Sequence, residues 1–172
     1  MTAPDLSAIK LVGFDVDGVL TDGRIIVHND EGESKNFHSR DGLGLKILTR
    51  AGIEAVIITG RVSRVVEIRA ADLGITEVHQ KVMDKRTVFE AILKKRGLSW
   101  SEAAFAGDDL IDLPIMTRVG LAMAPADAAA EVLSRAHFIA PARGGHGAAR
   151  QMAEFILKAQ GRWDEVVNTY LA

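Results

Sequence analysis

Apolar positions along this chain fall into two alternating rhythms. Stretches such as Ile9 to Phe14, Ile53 to Ile58, Ala103 to Ala106, Gly120 to Ala124 and His137 to Ala140 are largely apolar and end in polar or glycine-rich turns. That is the pattern of strands buried on both faces. Between them, apolar residues recur at helical spacing: Leu45 and Leu48 after Arg40-Asp41-Gly42, the stretch from Val62 to Leu73, and Val88, Ile92 and Leu93 in a helix begun at Asp84. Asp41 is placed to cap the first of these helices, Gly52 and Gly74 to stop the first two, and Lys95-Arg96 to lie at the negative end of the third helix dipole. An Ala-rich helix is expected from near Pro125, another through Ala148, Met152, Phe155 and Ile156, and Glu77 to Gln80 reads as a further short strand. Strands alternating with helices predict an α/β fold, a Rossmann-like three-layer sandwich whose central parallel sheet is covered on both faces.

Two segments stand outside this alternation. Arg24 to His28 and Ser34 to His38 flank the polar Asn29 to Glu33 turn and predict a β-hairpin flap over about residues 24–38, placed to project over the end of the first strand. From about 161 to 172 a tail carries Trp163, Val166, Val167 and Tyr170. A length of 172 residues without linker, repeat or low-complexity tract reads as a single domain over 1–172.

A composition of 48% hydrophobic and 26% charged residues is that of an ordinary globular chain, and a formal net charge of -2 offers no electrostatic case for nucleic acid or an anionic membrane as partner. The absence of cysteine excludes disulfides, thiolate catalysis and thiolate metal sites, so any metal must use oxygen or imidazole ligands. The start, Met1 to Leu6, lacks the basic and apolar regions of a signal peptide, and no apolar run reaches the length of a membrane span, which makes the cytoplasm the expected location.

Candidate chemistry collects where the apolar runs end. The first runs straight into Asp15-Val16-Asp17-Gly18-Val19-Leu20-Thr21-Asp22-Gly23. If strand geometry persists, Asp15 and Asp17 project on one side, and two anions so close call for a proton or a hard divalent cation such as Mg²⁺. A solvated Gly-Asp turn is the competing reading. Asp15 is a candidate nucleophile toward phosphorus, and Asp17 a candidate acid and base. Thr59-Gly60 supplies a hydroxyl and an unhindered N–H for phosphate oxygens, although taken alone an ordinary capped strand-to-helix turn is the favoured reading. Lys85 could neutralise a transferring phosphoryl group, or be a surface lysine. Gly107-Asp108-Asp109-Leu110-Ile111-Asp112 fits a metal site in which one carboxylate binds and others orient its surroundings; helix caps are the alternative.

In this order and strand-end context, Asp-x-Asp-Gly, Thr-Gly-Arg, a lysine and Gly-Asp-Asp-x-x-Asp resemble the four motifs of the haloacid dehalogenase superfamily of phosphatases. The resemblance implies Asp15 as nucleophile, Asp17 as acid and base, Thr59 and Lys85 on phosphate, Mg²⁺ held by Asp15, the Asp17 carbonyl and Asp108, and Asp109 and Asp112 around it. The intervals where many relatives insert a cap domain hold only the hairpin and single helices, so the fold is expected to be cap-less. From Ile9 to about Gly161 the chain is similar to the cap-less 3-deoxy-D-manno-octulosonate 8-phosphate (KDO 8-phosphate) phosphatases, through the first motif, Arg40-Asp41-Gly42-x-Gly44, Ile57-Ile58-Thr59-Gly60-Arg61, Gly107 to Asp112 and Gly144-Gly145-x-Gly147-Ala148. That family resemblance implies a hydrolase of lipopolysaccharide precursor synthesis acting on a small sugar acid phosphate. It further implies substrate contacts from Asp17, His38, Ser39, Arg40, Asp41, Gly42, Lys46, Thr59, Gly60, Arg61, Arg69 and Lys85, and a homotetramer in which a neighbour's C-terminal region helps close each site. Three positions depart from the family pattern: His38-Ser39 replaces Asn-Val, and Lys81 stands where a glycine is usual. Competing readings are a phosphatase of a nine-carbon sialic acid-type phosphate, which the basic Arg61 disfavours, a non-catalytic oligomerisation module, and a receiver domain, which Thr59 disfavours.

Overall fold

The apolar run after Ile9 forms β1 (Leu11–Phe14), buried at all four residues, and the rest of the computed structural model, which describes residues 5–29 and 32–171, is arranged around it. β2 (Ile26–Val27) and β3 (Glu33–Ser34) make the expected antiparallel hairpin. β4 (Glu54–Ile58) and β6 (Ala103–Ala106) flank β1 in parallel, with Phe14 opposite both Ile57 and Ala106. β5 (Val78–His79), β7 (Leu121–Pro125) and β8 (Phe138–Ala140) complete a parallel sheet in the order β5-β4-β1-β6-β7-β8. β1 therefore lies inside the sheet, and its end is bounded by the ends of β4 and β6.

Alternation along each strand sends side chains to two apolar layers. Val12, Phe14, Ala55, Ile57, Ala104 and Leu121 meet α1 (Ser39–Arg50), α2 (Arg64–Leu73) and α6 (Ala148–Ala159) on one face. Leu11, Val56, Ile58, Phe105 and Ala122 meet α3 (Lys85–Arg96), α4 (Leu113–Met116) and α5 (Ala130–Leu133) on the other. This is the three-layer α/β arrangement that the periodicity requires. Phe14, Phe89 and Phe105 are fully buried, each worth about 1.5–3 kcal/mol of apolar transfer. Gly13 makes room for the second layer: a Cβ there would come within 2.6 Å of Phe105 and 2.8 Å of Phe89. Those two rings meet edge-on at 5.6 Å, which seats α3 close against the sheet. Lys85, four residues before Phe89, lies on that same buried face.

Helix ends follow local chemistry at Ser63 and Asp84, which cap α2 and α3, and at Gly74 and Gly97, which close them with φ of 76° and 66°. Three expectations are corrected. The cap of α1 is His38, whose Nδ1 accepts from the Arg40 N–H at 3.2 Å, while Asp41 sits inside the first turn with its carboxylate committed elsewhere. The Ala-rich stretch after Pro125 is helical only over Ala130–Leu133. Its first backbone groups are drawn away, with the Ala126 N–H on the Ala142 carbonyl and the Ala129 N–H on the Asp108 carbonyl, so alanine's helix propensity yields to tertiary hydrogen bonds. The hairpin strands are also shorter than expected, because Phe37 leaves the ribbon to bridge Thr21 and pack against the first apolar layer. Asp30 and Glu31 of its turn lie outside the described residues. The tail forms α7 (Trp163–Asn168), its Trp163 ring covered by Arg150 and Lys158 at 5.4 Å each. No helix among the described residues is long and apolar enough to cross a membrane.

Candidate active site

Two neighbouring strand ends, those of β1 and β6, and the start of α3 converge on a single acidic centre. Asp15 continues the β1 register by one residue, its N–H donating to the Ala106 carbonyl at 2.9 Å, and alternation turns its side chain toward α3. There Lys85 Nζ lies 2.8 Å from Asp15 Oδ1 and 2.7 Å from Asp112 Oδ1, with all three side chains buried. Asp112 is fully enclosed and organises the loop after β6: its Oδ2 accepts from the Asp108 N–H at 3.0 Å and the Asp109 N–H at 3.3 Å. Gly107 leaves space for it, since a Cβ there would meet Asp112 Cβ at 2.4 Å. Asp109 is exposed and its carboxylate accepts from the Leu110 N–H at 2.7 Å, the capping arrangement that was one of its two readings.

Charge is in excess here. Burial, followed by repulsion from Asp112, pushes Asp15 up to about 6 against the pull of Lys85. Burial and the carboxylates of Asp15, Asp112 and Asp109 push Asp108 up to about 8. Burial opposes the charge on Lys85, but Asp112 and Asp15 outweigh it and its pKa is raised. One lysine does not neutralise three acids.

That excess gives a physical test of metal binding. Asp15, Asp108 and Asp112 each present an oxygen within 4.8 Å of the others, and Asp108 Oδ1 is buried without a hydrogen-bond partner. A buried carboxylate oxygen left unpaired costs about 1–3 kcal/mol or more unless a cation meets it, and an all-oxygen donor set suits a hard divalent ion. Gly18 (φ 93°) belongs to the same cradle, for a Cβ there would fall 2.0 Å from Asp108 Oδ2. The residues present fit Mg²⁺.

Asp17 goes elsewhere. β1 ends at Phe14 and the chain curls, the Val16 carbonyl accepting from the N–H groups of Val19, Leu20 and Thr21, so strand geometry does not persist to Asp17. Its carboxylate turns to the hairpin, where Lys35 Nζ meets Oδ1 at 2.5 Å and Arg61 Nε stands 3.7 Å from Oδ2. Arg61 Nη2 in turn lies 3.8 Å from Glu33 on β3. Lys35 and Glu33 are residues the sequence reading missed. The available signal was a lysine and a glutamate on a flap expected to overhang carboxylates.

Thr59 is buried at the end of β4, where its N–H donates to the His79 carbonyl and its Oγ1 accepts from the Arg61 N–H at 3.4 Å. A Cβ built at Gly60 would meet, among the described residues beyond its chain neighbours, only the Val82 carbonyl at 3.7 Å, so the turn is open to an incoming group. The β5–α3 loop bonds back onto this turn through the Lys81 and Val82 N–H groups. Lys81 adopts φ 56°, the left-handed region that favours glycine and costs a lysine about 1 kcal/mol.

The remaining residues divide into two groups. Ser39 and Arg40 are exposed at the start of α1, and His38 and Lys46 are half-buried. Asp41, by contrast, accepts from the Gly147 N–H at 3.1 Å and the Arg150 N–H at 2.8 Å, tying α1 to the start of α6; burial raises its pKa against those two bonds. Arg69 lies in the seam between α1 and α2, paired with Asp72 at 2.7 Å and 5.8 Å from the Phe37 ring, with Nε unpartnered. Gly42 admits it, since a Cβ there would stand 2.3 Å from Arg69 Nη2.

Comparison with known proteins agrees with this geometry. A family model described as haloacid dehalogenase-like hydrolase matches residues 57–152. The chain is 43% identical over 157 residues to the 3-deoxy-D-manno-octulosonate 8-phosphate phosphatase KdsC of Escherichia coli, covering 91% of this chain and 84% of that one. Among solved structures it is similar to the Moraxella catarrhalis 3-deoxy-D-manno-octulosonate 8-phosphate phosphatase in complex with magnesium, phosphate and KDO, at 39% identity and a TM-score of 0.94 over 96% and 95% of the two chains. The cobalt-bound Haemophilus influenzae phosphatase shares 40% identity and a TM-score of 0.87 over 91% of each chain.

Proposed function

We infer the activity from a single premise: this chain belongs to the haloacid dehalogenase-like hydrolases and, within them, to the family of 3-deoxy-D-manno-octulosonate 8-phosphate phosphatases. It hydrolyses that eight-carbon sugar acid phosphate to the free sugar acid and phosphate, a Mg²⁺-dependent step of lipopolysaccharide precursor synthesis. The observation that carries the reading is the buried lysine shared by Asp15 and Asp112 beside the unpaired Asp108 oxygen. A purely structural module has no reason to retain so costly an arrangement.

Asp15 attacks phosphorus and carries the phosphoryl group as an aspartyl phosphate. Asp17 protonates the departing sugar oxygen and then takes a proton from the attacking water. Lys85 orients Asp15 and balances charge on the transferred group, while the Thr59 hydroxyl and Gly60 N–H receive its oxygens. Asp15, the Asp17 carbonyl and Asp108 would hold Mg²⁺, with Asp112 orienting Asp108 through its main chain and Asp109 at the rim. When bound, the ion supplies positive charge against which an anionic phosphate can approach the carboxylates. Arg61, with His38, Ser39, Arg40 and Lys46, faces the sugar acid, a guanidinium being well suited to its carboxylate. Asp41, Gly42 and Arg69 serve that surface indirectly, because their own bonds and contacts hold α1 against α6 and α2.

The enzyme is also proposed to be cytoplasmic and to work as a homotetramer, the assembly being supported by the exposed Ile25 and Val27 on the hairpin and Tyr170 and Leu171 on the tail. The activity is tested by phosphate release from KDO 8-phosphate and from a nine-carbon sialic acid-type 9-phosphate, with Mg²⁺ and after chelation. KDO 8-phosphate is expected to be the better substrate, chelation to abolish turnover, and Asp15→Asn to reduce it by at least about 10⁴-fold without unfolding. Preference for the nine-carbon ester would reassign the substrate; full activity of Asp15→Asn would refute the covalent route.

A further inference from the structure

The side chain of Lys35 is 2% exposed although it comes from a surface hairpin. A buried ammonium is tolerated only against an opposite charge, and among the described residues its ion-pair partner is Asp17, through Oδ1. Thr21 Oγ1 donates to the same oxygen at 3.4 Å. The other oxygen, Oδ2, faces Arg61 Nε at 3.7 Å, beyond hydrogen-bond length. The two oxygens of Asp17 are thereby made unequal. We propose that Lys35 is a positioning residue for the acid and base of the reaction: it fixes Asp17 Oδ1, so that Oδ2 is the oxygen that exchanges protons with the leaving group and with water.

The inference rests on the phosphatase reading above. In the first half-reaction a carboxylate oxygen of Asp15 bonds to phosphorus, the bond from phosphorus to the sugar oxygen breaks, and the proton on Asp17 Oδ2 passes to that oxygen. In the second, water bonds to phosphorus, its proton passes to Oδ2, and the bond between Asp15 and phosphorus breaks, restoring both carboxyl groups. A carboxyl anchored through one oxygen is aligned for transfer through the other, whereas one free to rotate loses part of the about 10²–10⁴-fold that a placed acid contributes. Because Glu33 of the same hairpin holds Arg61 at 3.8 Å, seating the flap and aiming Asp17 are one structural event.

The test compares Lys35→Met with wild type on an alkyl phosphate, KDO 8-phosphate, and on p-nitrophenyl phosphate, whose leaving group departs without a proton. kcat/KM reports binding and the steps up to phosphoenzyme formation, so it contains the acid step and excludes phosphoenzyme hydrolysis, and the double variant below separates the acid step from binding. Expected is a loss of about 100-fold on the alkyl ester and under about 3-fold on the aryl ester. In an Asp17→Asn background, Lys35→Met should cost nothing further. Equal losses on both esters, or additive losses in the double variant, would overturn the proposal and make Lys35 a structural or phosphate-binding residue. If Lys35→Met fails to fold, Lys35→Gln carries the same comparison, and an unchanged alkyl-to-aryl ratio there is equally fatal. Should wild type reject KDO 8-phosphate, the substrate assignment fails but the ratio is still read with ribose 5-phosphate as the alkyl ester; loss of all phosphatase activity in wild type would remove the phosphatase reading itself.

Discussion

Asp108 illustrates how one side chain couples this site to conditions. Its pKa of about 8, with Asp15 at about 6, stands above the ordinary value of 3.8, so the folded chain binds protons that the unfolded chain has released. Stability of the metal-free protein is therefore full below about pH 4 as far as these two groups are concerned, and is lost as pH rises through 6 and then 8. A divalent cation replaces the missing protons and reverses the loss. Metal-free protein should melt about 5 °C higher at pH 5.5 than at pH 8, and Mg²⁺ should close that gap. Asp108→Asn should flatten the dependence even without metal. Calorimetry across pH decides: a melting temperature of metal-free wild type that climbs from pH 5.5 to 8 would contradict this account.

At the scale of elements, the junction of α1 and α6 rests on Asp41. Its two oxygens satisfy the N–H groups of Gly147 and Arg150, donors at a helix start that have no intrahelical partner. Asp41→Ala should cost about 1–3 kcal/mol, several degrees in melting temperature, with kcat falling only as the α1 entry loop loosens. KM for the sugar phosphate should remain within about 2-fold, since this carboxylate binds backbone and not substrate. A large rise in KM with unchanged thermal stability would instead assign Asp41 to substrate, as the family resemblance suggests. α1 tolerates this design because His38, not Asp41, caps it.

For the whole molecule, the open end of the sheet sets the requirement. Among the described residues no cap domain stands above the candidate site, only a hairpin whose paired strands are two residues each. Such ribbons are marginal alone, and Val27 is 72% exposed on this one, as Leu171 is 77% exposed on the tail. Light scattering should give four times the chain mass at micromolar concentration, and Ile25→Asp with Val27→Asp should lower it. A fully active monomer would remove the case for assembly.

Read from the sequence alone, the strand-end chemistry, the helix stops and the order of motifs were all legible, because periodicity, caps and turns depend on residues a few positions apart. Thr59, Lys85 and the acids after β1 and β6 stand out as candidates only through the order of those motifs and the family resemblance it carries, since a lone Thr-Gly turn or a lone lysine reads as ordinary structure. Which groups meet was decided by tertiary structure. Lys85 and Asp112 are 27 residues apart, and Asp41 and Arg150 are 109 apart; no local pattern specifies such pairs. Asp17 parted from Asp15 because the chain curls at Val16, and it found Lys35 only because the hairpin folds back over that curl. Long-range burial selects charge partners by desolvation, a term that exists only once the surrounding elements have packed.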